Sequence, residues 1–298
     1  MSKQQIKKII ENRLSHDGMV ETGIKGVQLF RVTEAHQCAP AVYEPTVVAI
    51  VSGAKEAILG GKKYAYDSRE YLCCPVSLPV EAGTPSATQE DPLLGVYISL
   101  DTQVMTELTL EIESTTPSSV KPLNSPTLGL TLAPWDDAFM SSLLRLLQLS
   151  ENPTDSAVLG NGRLRELYYA VLKGKAGETA RRAFGVGSEI AKAIQYLSAH
   201  LNETITIEEV AAQAGMSRAV FHRKFKQTTT MSPIQFVKSM RLNSAAMKIA
   251  VGKNVSEAAM EVGYSSASQF SREFKRLYGQ SPKQWSHFNQ LPSCLLYT

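Results

Sequence analysis

The spacing of apolar positions changes several times along the chain. Ile6, Ile9, Ile10 and Leu14 recur at helical intervals, which predicts a short amphipathic helix over residues 1–16. From about 24 to 100 the pattern becomes short β-branched and aromatic runs at 27–32, 46–51, 56–59, 63–66, 71–74 and 93–100. Turn signals separate them: Ser52-Gly53, Gly60-Gly61, Asp67-Ser68 and Gly83-Thr84-Pro85. Gly60-Gly61 predicts a tight hairpin, whose turn needs positive φ at adjacent positions. Closely spaced strands of this kind predict a small barrel or sandwich. Ser, Thr and Pro dominate 114–134, which reads as a loop.

Two helical segments follow, one lined by Phe139, Leu143, Leu144, Leu146 and Leu147, the other by Leu164, Leu167, Tyr168, Val171 and Leu172. Their wide apolar faces suit capping of the β-domain or pairing with a second copy of the chain. Residues 174–187, rich in Gly, Ala and Arg, read as a linker. Beyond it the pattern is all helical, with Ser188 as an N-cap ahead of Ile190, Ile194, Leu197 and Leu201. The expected fold is α+β. Residues 1–173 form a β-barrel with flanking helices, 174–187 a linker, and 188–298 an all-α domain.

The strongest signal is an internal repeat. VAAQAGMSRAVFHRKF…SPIQF begins at Val210, and AAMEVGYSSASQFSREF…SPKQW begins at Ala258. In each copy a Phe (Phe225, Phe274) precedes a Ser-Pro pair by seven residues and a second aromatic (Phe236, Trp285) by eleven. Each copy has helix-turn-helix logic. Ala211 and Ala259 let two helices cross closely, and Gly215 and Gly263 four residues later turn the chain at positive φ. Ser217, and Ser265 or Ser266, cap the second helices, which Phe221 and Phe225, or Phe270 and Phe274, anchor. Arg218, His222 and Arg223 lie off the apolar line in one copy, and Gln269, Arg272 and Lys275 in the other. Such a helix reads base edges in the major groove: Arg pairs with guanine, Gln with adenine, and small side chains meet the thymine methyl. A helix over 233–251 joins the copies. About 18 residues at about 1.5 Å each give roughly 27 Å, close to the roughly 34 Å between successive groove faces on one side of a duplex.

Charge agrees with this picture. The 298-residue chain carries a net charge of +3, but residues 187–298 hold 13 Lys and Arg against 7 Asp and Glu, while residues 1–186 balance at −3. A basic last third suits a polyanion. No apolar run approaches the roughly 20 residues of a membrane span. The N-terminus has no apolar signal region, so a cytoplasmic protein is expected. Four cysteines without CxxC spacing suggest neither a disulfide framework nor a zinc site.

At these residues the chain resembles the AraC/XylS family of bacterial transcription regulators, over about 100 residues from Ser188. VGYSSASQFSREFKRLYGQSPKQW is the most specific stretch, with Ala-Gly-Met-Ser and Met240-Arg241-Leu242 in support. The resemblance implies that Arg218, Ala219, His222 and Arg223 read bases in one half-site and Ala267, Ser268, Gln269 and Arg272 in the other. It implies phosphate contacts at Ser217, Lys224, Lys226, Ser266, Lys275 and Arg276. It also implies double-stranded promoter DNA as ligand, RNA polymerase as partner and activation as the mode of action. There are two departures. Thr230 stands where the family usually has Gly, so the turn there is expected to differ, and Ala258 replaces a larger aliphatic. TGIKGVQLFR, YEPTVVAIVSGAKEAILGGKKYAYDSREYL and PLLGVYISLD resemble the N-terminal domain of one AraC subgroup, which implies a cupin-like barrel that senses a small molecule.

Arg31, His36, Tyr43 and Tyr97 are the candidate effector contacts, although strand register decides which of them point inward. His36 and Cys38 otherwise read as plain loop, and Cys73-Cys74 as buried small hydrophobes rather than reactive thiols. His222 would make binding mildly pH-sensitive. The alternative of a cupin-type metalloenzyme needs a histidine cluster, and the 43–100 region has no histidine. No cofactor, metal or catalytic constellation is expected. A protein-interaction module using the basic helices for an acidic partner is the third reading.

Overall fold

The computed structural model describes residues 2–115, 129–185 and 188–288. Helix α1 (Ser2–Arg13) leads into nine strands: β1 (Gly18–Glu21), β2 (Val27–Val32), β3 (His36–Tyr43), β4 (Thr46–Ser52), β5 (Ala54–Leu59), β6 (Lys62–Asp67), β7 (Glu70–Cys74), β8 (Leu78–Thr84) and β9 (Leu93–Ser99). Then come α2 (Thr102–Thr115), β10 (Thr131–Pro134), α3 (Asp137–Gln148), α4 (Pro153–Lys173) and α5 (Gly177–Phe184). The helical domain holds α6 (Glu189–Ala199), α7 (Ile207–Gln213), α8 (Arg218–Thr229), α9 (Pro233–Ala250), α10 (Val255–Glu261), α11 (Ala267–Tyr278) and α12 (Pro282–Phe288).

The strands form two antiparallel sheets, β1-β2-β9-β4-β7-β10 and β3-β8-β5-β6. Strand β5 alternates half-buried and buried positions, as a strand with one covered face must. Strand β4 is buried at six successive positions, because α1 packs against the outer side of its sheet. That two-sided burial is why its sequence is a continuous aliphatic run. The β5–β6 hairpin turns at Gly60-Gly61 with φ of 57° and 80°, as the sequence predicts.

Several expectations are corrected. His36 and Cys38 lie on β3, not in a loop, beside an irregularity in its pairing with β8. Thr131–Pro134 pairs with β7, so the loop expected at 114–134 is a strand at its end; residues 116–128 lie outside the described residues. The segment read as a linker carries α5, whose Ala180 and Phe184 are buried; residues 186 and 187 lie outside the described residues. Ser188 occupies the N-cap position of α6, but its side chain makes no capping hydrogen bond.

Candidate nucleic-acid interface

Both repeats fold as helix-turn-helix units. In the first, Thr206 and Glu209 form a capping box at the start of α7, and Gly215 turns the chain at φ 64°. Ser217 accepts a hydrogen bond from Val220 N and starts α8. In the second, Asn254 caps α10, Gly263 turns at φ 88°, and Ser266, not Ser265, accepts from Gln269 N to start α11.

The matched aromatic spacing has a matched geometry. Phe225 meets Phe236 edge-on with centroids 5.3 Å apart, and Phe274 meets Trp285 edge-on at 5.8 Å; both pairs are inclined at 78°. Each Ser-Pro pair opens a capping box, Ser232 with Gln235 and Ser281 with Gln284. The SPxQ-aromatic element is therefore a helix start that presents its fourth residue to the core.

Burying these aromatics leaves the opposite faces of α8 and α11 in solvent. Arg218, Ala219, His222, Arg223, Lys224 and Lys226 are all exposed on α8. So are Ala267, Ser268, Gln269, Arg272, Lys275 and Arg276 on α11. Ser217 is exposed and Ser266 half-buried. The expected reading residues thus share one open face per helix. Arg218 is the exception in availability, since it pairs with Glu208 of α7 at 2.6 Å.

A second set of polar contacts braces the two units, and the sequence reading did not reach it. Arg241 donates from Nε to Leu201 O at 2.7 Å and from Nη2 to Glu203 O at 2.8 Å. Lys238 pairs with Glu273 of α11 at 3.0 Å, and Tyr264 donates to the same carboxylate at 2.8 Å. Burial pushes the Glu273 carboxyl up, but hydrogen bonds from Tyr264, Lys238 and Gln269 outweigh it and hold the group below its ordinary value. Glu261 is pulled down to about 2 by hydrogen bonds from Lys248 and Lys253.

Thr230 does not alter the turn. It ends α8 in the left-handed region at φ 66°, where Gly279 ends α11 at φ 74°. Among the described residues it alone, apart from glycine, has positive φ. The expectation of a different turn is corrected, because the turn keeps its form with threonine held in a costly conformation.

Of the candidate effector residues, Tyr43 and Tyr97 come within electrostatic reach of each other although they lie in different sheets. Arg31 lies on β2 and Tyr97 on β9 in the larger sheet, while His36 and Tyr43 lie on β3 in the smaller one. Tyr43 is fully buried. Tyr97 lines a cavity of about 890 Å³ shared with Met19, Val42 and Glu44 of the barrel and Met247 and Lys248 of α9. A second cavity of about 660 Å³ lies between the barrel, α2 and α6, bordered by Leu100, Phe184 and Lys192. Burial pushes the Cys73 thiol up to about 12 and that of Cys74 well above its ordinary value, so neither is a thiolate near neutral pH. Among the described residues no group of three His, Cys, Asp or Glu side chains is placed to hold a metal ion.

Residues 23–179 match the family described as AraC-type transcriptional regulator N-terminus, and residues 210–287 match a helix-turn-helix domain. Among sequence relatives, the probable transcriptional regulator LumQ of Photobacterium leiognathi is 36% identical over 94 residues, or 31% of this chain. The regulator AlkR of Acinetobacter baylyi is 33% identical over 98 residues, or 33% of this chain. These alignments span 38% and 32% of the two relatives' own lengths. In fold, the chain is similar to wild-type ToxT of Vibrio cholerae with an unsaturated fatty acid bound. The TM-score is 0.54 at 11% identity, covering 88% of this chain and 95% of that one. With more than half its length matched by one family and a duplicated helix-turn-helix beyond it, the chain belongs to the AraC-type transcriptional regulators.

Proposed function

We propose that this protein regulates transcription by binding double-stranded DNA, laying α8 and α11 in adjacent major-groove segments on one side of a duplex. One observation carries the reading: two recognition helices, anchored by the same aromatic geometry, each leave a row of basic and small polar residues in solvent. Arg218, Ala219, His222 and Arg223 would read one half-site, and Ala267, Ser268, Gln269 and Arg272 the other. Ser217, Lys224, Lys226, Ser266, Lys275 and Arg276 would meet phosphates. Selection of bound sequences from a random duplex pool tests this. Two half-sites about 10 base pairs apart, centre to centre, are expected; a single half-site, or no sequence preference, overturns it.

The barrel would sense a small amphipathic molecule. The large cavity between barrel and α9 supports this, with Tyr97 on its wall, as does the fatty acid bound in ToxT. Arg31 on the adjacent strand β2, and His36 and Tyr43 on β3 of the other sheet, are secondary candidates. An effector acts by binding one domain arrangement more tightly than another. Activation through RNA polymerase in the cytoplasm belongs to the same reading. A homodimer through the helices at 135–173 would use α4, where Val158, Leu159 and Tyr169 are exposed, since Phe139, Leu143, Leu146 and Leu147 of α3 are buried within the chain.

A further inference from the structure

The connecting helix α9 belongs to two cores. Phe236 and Met240 in its first half join an apolar cluster that runs from the barrel through Val210, Phe221 and Phe225 of the first helix-turn-helix unit. Leu242, Ala245, Ala246 and Ile249 join a separate cluster with Phe270, Phe274 and Trp285 of the second. The first unit and the barrel therefore share one continuous core, and the second unit has its own.

Asn243 sits at this seam, 6% exposed. Its Nδ2 donates to Ala41 O at 2.8 Å and to Val80 O at 2.9 Å. Ala41 and Val80 are paired across β3 and β8 of the barrel. Its Oδ1 accepts from the Tyr278 hydroxyl at 2.7 Å, in the last turn of α11. Both amide hydrogens and one lone pair are thus used, and they join the barrel to the second recognition helix through one side chain. Apolar packing is non-directional and tolerates sliding. A buried amide is satisfied in one registration only, which is how a buried asparagine fixes the register of paired helices. On the outer side Lys238 ties α9 to Glu273 of α11; Asn243 ties the same two helices from within through Tyr278.

We infer that Asn243 is a positioning residue for two-site DNA binding: it sets the inclination of the second reading unit against the body formed by the barrel and the first unit. The inference rests on the two-half-site reading above. Two linked units gain affinity from effective concentration, and lose that gain when geometry forbids simultaneous engagement.

The test uses the full chain with Asn243→Leu, which keeps a side chain of similar size, and Tyr278→Phe. The latter removes only the hydroxyl and leaves the ring 4.5 Å from Phe274 and 5.2 Å from Trp285. Each is titrated by fluorescence anisotropy at one salt concentration against two duplexes, one with both selected half-sites and one with the second half-site scrambled. Asn243→Leu is expected to bind the first duplex at least tenfold more weakly and the second within twofold of the parent. Tyr278→Phe should lose at least threefold on the first duplex alone. Equal loss on both duplexes, or no loss on either, overturns the inference. If Asn243→Leu does not fold, Tyr278→Phe decides by the same criterion. A parent protein that binds both duplexes alike overturns instead the two-half-site reading, and this inference with it.

Discussion

Thr230 and Gly279 occupy equivalent helix ends in the two repeats, at φ 66° and 74°, which makes exchange of their residue types a controlled perturbation. A residue with a Cβ in the left-handed region costs about 1–2 kcal/mol. Thr230→Gly relieves that strain but frees the unfolded chain, which offsets it by about 0.5–1 kcal/mol. The Thr230 hydroxyl also touches the β5–β6 hairpin, since a Cβ added at Gly60 would lie 2.5 Å from it. Losing a few such atom contacts costs only about 0.1–0.2 kcal/mol each. The expected net gain is about 0.5 kcal/mol, or roughly 1–2 °C in Tm. Gly279→Thr is the cleaner reverse experiment, because an added Cβ there meets nothing within 4 Å. It should destabilise by about 0.5–1 kcal/mol through the backbone alone. Urea midpoints of both variants, read by circular dichroism, give the two signs. Opposite signs are the prediction; a neutral Gly279→Thr, or a destabilised Thr230→Gly, refutes the strain argument.

Arg223→Ala and Arg272→Ala should each weaken the selected duplex by about 1–3 kcal/mol and relax preference in one half-site only; the same loss on every sequence would count against base reading. Lys226→Ala should weaken all sequences alike and lower the slope of log K against log salt by about one, a slope that salt titrations measure. Cys73 and Cys74 should resist a thiol-reactive chromophore at pH 8 and react only at the rate of unfolding, and fast modification of either would contradict their burial. Linkage gives the matching pH dependence. The folded state keeps the Cys73 proton up to about 12, whereas the unfolded thiol titrates near about 8.5. This contribution to stability is complete below about pH 8.5 and falls as pH rises towards 12. Stability that stays level through that window in denaturant titrations would be inconsistent with it.

The helical third was legible because its logic is local. Caps lie within three residues of their partners, anchors at i and i+4, and each turn glycine four residues after a small crossing residue. The barrel was only partly legible. Strand β3 carries Pro40, and β8 carries Pro79 and Gly83, which break the strand pattern. The fold tolerates both prolines by position: β3 is an edge strand, and β5 pairs with β8 only at 81–83, beyond Pro79. Helix α2 carries four threonines among its 14 residues, which lower its helical propensity. Asp101 capping its first turn, and burial of Met105 and Leu108 against the fold, settle it as a helix.

Sequence alone determined two helix-turn-helix units, the residues on their open faces and a connecting helix of the right length, because these follow from contacts a few positions apart. Tertiary structure alone decided how the strands are ordered, that Arg218 meets Glu208, and that α9 docks on β3 and β8. Asn243 shows the difference. It stands at helical spacing among Phe236, Met240 and Met247 as a single polar residue on an apolar stripe, and its partners lie about 35, 160 and 200 positions away. Spacing can mark such a residue as unusual; only the folded chain supplies the carbonyls and the hydroxyl that make its burial favourable.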